Sequence, residues 1–217
     1  MRKKLADYRH VVWDWNGTLL DDTWLCCESL NRLLAEDGHP LVDPVRYRQI
    51  FQFPVIKVYQ AIGFTPDEES FRAMSVRFMA AYEARKDACR LHPHARELIA
   101  GLSQAGLTHS VLSAYERNLL QATLRDHDLS HHFLKACGGS DIHAGSKEER
   151  ARRHLHDLAI SPDHVVFVGD TAHDAESAQA MGVDCVLVAH GHQHRDRLDG
   201  LGVRVVDGFH DLLGELS

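Results

Sequence analysis

Two short segments, far apart in the chain, each end an apolar run on a carboxylate. The first reads Val11-Val12-Trp13-Asp14-Trp15-Asn16-Gly17-Thr18. The second reads Val165-Val166-Phe167-Val168-Gly169-Asp170-Thr171-Ala172-His173-Asp174. A short, continuous apolar run bounded by turn residues is the pattern of a fully buried strand. Gly and Thr beside the acid then give a tight loop. Two strands that each deliver an aspartate to such a loop predict one acidic pocket at one edge of a sheet. Carboxylates crowded together repel, so a pocket of this kind calls for a divalent cation.

The elements that must carry these loops are read from periodicity. Strand-like runs fall at 10–15, 108–112, 133–137, 164–168 and 184–189, with a last short one at 203–206. Helical patterns lie between them at 95–105, 118–127, 151–158 and 174–181; Gly106 and Gly182 close the first and the last. Strand–helix alternation predicts an α/β fold, a parallel sheet with helices on both faces. The segment 21–86 breaks the rhythm. It holds no convincing strand, is punctuated by Pro40, Pro44, Pro54 and Pro66, and carries helical patterns after Asp22 or Thr23, around 44–50, at 55–62 and at 67–84. Asp22 is read as a cap for the first of these helices. The organisation expected is a core of residues 1–20 and 87–217 with an all-helical insert at 21–86.

Composition excludes several function classes. The 217 residues carry a net charge of −7 and are 44% hydrophobic. That is room for a sizeable core, with no basic bias toward nucleic acid or anionic membranes. No apolar run approaches the roughly 20 residues of a bilayer span. The stretch behind Met1-Arg2-Lys3-Lys4 contains Asp14 and lacks a cleavage-like site, which argues against a signal peptide. Five cysteines without a Cys-x-x-Cys pattern suit free thiols in a reducing cytoplasm.

Four motifs together resemble the haloacid dehalogenase superfamily, in its phosphoglycolate-phosphatase-like branch with a helical cap. They are Asp14-Trp15-Asn16-Gly17-Thr18, Val111-Leu112-Ser113, Gly145-Ser146-Lys147-Glu148, and Gly169-Asp170 with Asp174. The resemblance implies a Rossmann-like sheet of five main strands in the order 5-4-1-2-3. Strand one is then central, so Asp14, Ser113 and Asp170 meet at carboxyl ends. It implies Mg²⁺ held by Asp14, the backbone carbonyl of Asn16, Asp170 and Asp174. It makes Asp14 the nucleophile, with Ser113 and Lys147 holding phosphoryl oxygens together with backbone N–H groups of the turn from Trp15 to Gly17. Thr18 would tie that turn, and Trp15 would line the pocket or cover the core. The expected substrate is a small phosphorylated metabolite, phosphoglycolate-like.

One position departs from the family. Its phosphatases usually carry a second aspartate where Asn16 stands, to protonate the leaving alkoxide and then activate water. An amide does not titrate near neutrality, and losing such a group costs about 10²–10⁴-fold. Three readings follow. The chain is a phosphatase that is slower, uses another proton carrier such as His173 or Glu116, or acts on good leaving groups. It cleaves a C–P bond as the phosphonoacetaldehyde hydrolase relatives do, with Lys57 forming the Schiff base. Or it binds phosphate or a partner without turnover. The first is preferred, because Thr18, Ser113, Lys147, Asp170 and Asp174 all remain. His190, His192 and His194 read as a solvated loop rather than a zinc site.

Overall fold

The computed structural model describes residues 3–139 and 147–216. Strand β1 (His10–Trp13) is buried along its whole length. Val11 and Trp13 pack into one core, and Val12 joins Leu112, Val165 and Phe167 in a second core on the other face. A strand covered on both faces cannot alternate polar and apolar residues, which is why this stretch reads as a continuous apolar run. Its neighbours are β4 (Thr108–Glu116) and β6 (Val165–Gly169), both parallel to it, with His10 opposite Thr108 on one side and Val165 on the other. Beyond β4 lies β5 (Phe133–Gly139); beyond β6 lie β7 (Asp184–Val188) and β8 (Arg204–Val206). The order β5-β4-β1-β6-β7-β8 is the expected five-strand order with the short 203–206 run added as an edge strand.

Helices α5 (Ala95–Gln104), α6 (Arg117–Asp126), α7 (Lys147–Leu158) and α8 (Ala172–Met181) form the crossovers. Gly182 ends α8 at φ 70°, a left-handed turn that glycine takes without strain. Two short helices, α9 (Arg195–Leu198) and α10 (Phe209–Leu213), complete the carboxyl-terminal part.

Between β1 and α5 the chain makes a two-stranded antiparallel ribbon, β2 (Leu20–Asp21) against β3 (Arg90–Leu91). The segment between the two ribbon strands is helical: α1 (Thr23–Glu36), α2 (Pro44–Ile50), α3 (Ile56–Ala61) and α4 (Glu68–Glu83). α1 turns Leu25, Cys26, Leu30, Leu33 and Leu34 inward. Asp43 and Asp67 cap α2 and α4, accepting from the amides of Arg46 and Ser70. No helix of the described residues is long and apolar enough to cross a membrane.

Candidate functional site

At the carboxyl end of β1, the peptide after Trp13 continues the sheet, with the Asp14 amide donating to the Val168 carbonyl at 2.9 Å. This delivers Asp14 beside the end of β6, where Asp170 and Asp174 follow. The three buried carboxylates each bring an oxygen within 4.8 Å of the others. Burial, and after it the Asp174 charge, pushes the Asp170 carboxyl up to about 6. Crowded acids of this kind fit a small divalent cation bound through hard oxygens. Asp174 also shapes the loop. Its Oδ2 accepts from the amides of Asp170 (3.1 Å) and Thr171 (2.9 Å) and from the Thr171 hydroxyl (2.7 Å).

The turn after Asp14 is built around Gly17 at φ 75°. A methyl group there would run into the His192 ring and the Asp170 carboxylate, so glycine is required for space as well as for conformation. Thr18 does not tie its own turn. Its hydroxyl crosses to Asp170 and donates to Oδ1 at 2.7 Å. The Gly17 amide is not turned to a phosphoryl oxygen either, since it donates to Asp22 Oδ1 at 2.8 Å.

Asp22 is the group that the sequence reading misplaced. It stands at the start of α1, yet its side chain makes no capping bond. Instead the carboxylate is fully buried. Its Oδ2 accepts from the Asn16 amide (2.7 Å) and the Tyr82 hydroxyl (2.7 Å), and Oδ1 lies 3.3 Å from His192 Nε2. Burial alone would raise the Asp22 carboxyl, but the His192 charge and these donors outweigh it and hold it low. His192 is the mirror case: burial opposes its charge, and Asp22 with Asp170 and Asp174 behind it raises it. The result is a buried carboxylate–imidazole pair in which each partner favours the charged form of the other. Tyr47 OH lies 3.0 Å from His192 Nδ1, the His192 amide donates to Asp170 Oδ2 at 2.6 Å, and Phe51 stacks on the ring at 4.7 Å.

The loop holding His192 is therefore not solvated. His190 is half-buried and stacks on the buried His92, with ring centroids 3.7 Å apart, and its Nε2 lies 3.1 Å from the Thr18 carbonyl. Only His194 matches the surface reading, accepting from the Asp196 amide to cap α9. Arg48 of α2 clamps the loop from outside, donating to the carbonyls of Gly191 (2.8 Å) and Ala189. The sequence signal that could have flagged this network is the Asp21-Asp22 doublet: a carboxylate is missing at 16 and an extra one stands six residues later.

A cavity of about 200 Å³ opens over these groups. Asp14, Asn16, Ser113 and Thr171 line it from the sheet side, and Tyr47, Phe51, Phe53, Phe78 and Tyr82 from the helical segment. Ser113 is buried, its Oγ accepting from the Tyr115 amide at 3.1 Å. A larger hollow of about 810 Å³ lies elsewhere, beside α8 and β7. Its Asp184 is engaged by Tyr8 and Lys3, and the acid cluster is not part of it.

Several expected residues are placed differently. Trp15 is fully buried with its ring 5.8 Å from His127, so its side chain covers the core and does not line the cavity. Thr18 is likewise buried away from it. Lys57 is exposed on α3 and outside the cavity, and no lysine lines it among the described residues, so the Schiff-base route loses its amine. Glu116 caps α6 through the Leu119 amide at 2.9 Å, and His173 pairs with Glu176 at 2.9 Å. Lys147 begins α7; its side chain, and Gly145 and Ser146, lie outside the described residues.

Comparison with known proteins agrees with this geometry. A family model described as haloacid dehalogenase-like hydrolase matches residues 11–188. The tyrosine-protein kinase PtkA of Mycobacterium tuberculosis is 30% identical over 198 residues, covering 90% of this chain and 67% of that protein. Its solved structure superposes with a TM-score of 0.80 at 26% identity, covering 97% of this chain and 99% of that one. A phosphoglycolate phosphatase of Rhodospirillum rubrum is 27% identical over 213 residues, covering 93% of this chain and 88% of that protein. A haloacid dehalogenase-like hydrolase from Streptococcus pneumoniae shares the fold, with a TM-score of 0.82 at 17% identity over 97% of this chain and 99% of that one. With the family model spanning both acidic loops, the chain belongs to the haloacid dehalogenase-like hydrolases.

Proposed function

We propose that this hydrolase is a Mg²⁺-dependent phosphomonoesterase in which Asp14 is the nucleophile. The observation that carries the reading is the convergence of Asp14, Asp170 and Asp174 in one buried cluster beside the cavity. Mg²⁺ would be held by these carboxylates and the Asn16 carbonyl; when bound, it would offset the repulsion between Asp14 and a phosphate dianion. An Asp14 oxygen attacks phosphorus as the ester oxygen departs with the bonding pair, leaving an aspartyl-phosphate that water hydrolyses. Ser113 and Lys147 are assigned to the phosphoryl oxygens, and Gly17 and Thr18 to shaping the loop. We read residues 21–86 as a cap over a core of 1–20 and 87–217, since α2 and α4 furnish the aromatic side of the cavity. Five free cysteines fit a cytoplasmic setting.

Phosphate release is measured on a panel of phosphomonoesters, with Mg²⁺ and with EDTA. Asp14→Asn should lower release by roughly 10³-fold or more while the fold, by circular dichroism, is kept. Undiminished release from that variant would overturn the assignment. A second reading is favoured by the likeness to a protein named as a tyrosine kinase: an aspartyl-phosphate that water attacks slowly could be passed to a hydroxyl acceptor instead. Phosphorylated product formed from an added phenol or alcohol would support it.

A further inference from the structure

The side chains packed around the Asn16 amide are committed to one another. The Asn16 amide donates to Asp22 (2.7 Å) and to Tyr82 OH (3.0 Å), and Tyr82 OH donates in turn to Asp22. The space where the leaving group must sit is aromatic. Phe51 and Phe53 meet edge to face at 5.5 Å, and Phe78 lies parallel to Tyr82 at 6.5 Å. At the cavity's edge Val55 and Met79 are 38% and 37% exposed, an apolar lining left to solvent. Neither lysine nor arginine lines the cavity among the described residues, so a carboxylate-bearing ester such as phosphoglycolate would bring its charge to a surface without a matching one.

From this juxtaposition we propose that the substrate is an aryl phosphate, its ring held among Phe51, Phe53, Phe78 and Met79 while phosphorus faces Asp14. This rests on the phosphomonoesterase reading above and names its substrate class. A phenol ionises near pH 10, whereas water and simple alcohols ionise near 16, so a phenoxide departs without the proton that Asn16 cannot supply. In the step, the aryl oxygen–phosphorus bond breaks, the Asp14 oxygen–phosphorus bond forms, and the phenoxide leaves with the electron pair and is protonated by solvent. Water then cleaves the aspartyl-phosphate to inorganic phosphate. The size agrees: apolar cavities of about 150 Å³ accept a benzene ring, and this one measures about 200 Å³.

The test compares kcat/KM, with Mg²⁺, for ring-substituted phenyl phosphates, ethyl phosphate and phosphoglycolate. Phenyl phosphate should exceed both alkyl esters by roughly 100-fold or more, and kcat/KM should fall steeply as the pKa of the leaving phenol rises. Phe78→Ala should raise KM for phenyl phosphate about fivefold or more. Equal or better turnover of phosphoglycolate, or a flat dependence on phenol pKa, would overturn the aryl assignment and leave the phosphomonoesterase reading standing. No release from any monoester would remove that reading, and this inference with it.

Discussion

Replacing Asn16 with the aspartate usual in its family should harm this protein before it helps. The Asn16 amide nitrogen lies 2.7 Å from Asp22 Oδ2, inside a carboxylate site with no exposure to solvent. In Asn16→Asp the donor becomes a second anion. At that distance and an effective dielectric of 20 the repulsion is about 6 kcal/mol. Escaping it by protonating one carboxyl at pH 7.5 costs about 5 kcal/mol, at 1.36 kcal/mol for each of roughly 3.6 pH units. Allowing for relaxation, the expected loss is about 3–5 kcal/mol, the range seen when a buried pair is broken. For a chain of this size that is a fall in Tm of roughly 6–20 °C. The assay is thermal or urea unfolding of Asn16→Asp at pH 7.5 and pH 5. The deficit should shrink at pH 5, because the folded variant holds a proton that the unfolded chain releases above pH 4. Asn16→Asp combined with Asp22→Asn restores one amide facing one carboxylate and should regain most of the lost Tm. A single variant melting within 2 °C of the parent at pH 7.5 would refute the coupling between positions 16 and 22.

Three further outcomes are expected. With Asn16 unable to activate water, the aspartyl-phosphate should accumulate: phenol release from phenyl phosphate should begin with a burst of about one equivalent, phosphate release lagging, and a linear start in stopped flow would contradict this. Gly17→Ala should lower stability by about 2–5 kcal/mol, combining a left-handed φ of 75° with a methyl group forced against Asp170 and His192; an unchanged denaturation midpoint would refute the packing. Acid should destabilise the fold well before general carboxylate protonation. Burial holds His10, His92, His109 and His154 down to about 4 and His190 to about 3. Their unfolded forms take up protons near 6.5, so stability present above that pH is lost as pH falls toward 4. The raised carboxyls of Asp21 and Asp170 and the raised His192 pull the other way but are fewer. Urea midpoints that stay level from pH 7 to pH 5 would count against buried neutral histidines.

The centre of the sheet was legible because β1 and β6 are covered on both faces and so read as apolar runs; Val11, Val12 and Trp13 serve two cores at once. Asp14 and Asp170 were legible because each stands just past a strand end, where a parallel sheet gathers such residues; Ser113 lies within β4 and Asp174 in the first turn of α8, and both were legible only through the motifs they complete. The Asp22–His192–Tyr82 network was not. Its partners are 60 and 170 positions apart (82 − 22, 192 − 22), and no local pattern announces a contact that only the tertiary fold creates. Asp22 looked like a helix cap because the backbone does start a helix there. The histidine loop looked solvated because glycine and arginine surround it, yet Arg48, Asp170 and Phe51 cover it. Trp15 could not be placed from alternation alone, since the strand ends at Trp13 and the turn redirects the ring.

The ribbon of Leu20–Asp21 against Arg90–Leu91 has a consequence for how this protein can change. The backbone departs and comes back through one narrow doorway, two strands wide. Whatever lies beyond the doorway can be traded for a longer or shorter piece without breaking the pairing of β1 with β4 and β6. Doubling the excursion adds only about 0.6 kcal/mol of closure entropy. A graft made at residues 21 and 90 would exchange the cavity's aromatic wall for another, but it would also have to bring new partners for the Gly17 amide and for His192, since Asp22, Tyr47 and Arg48 leave with the old one.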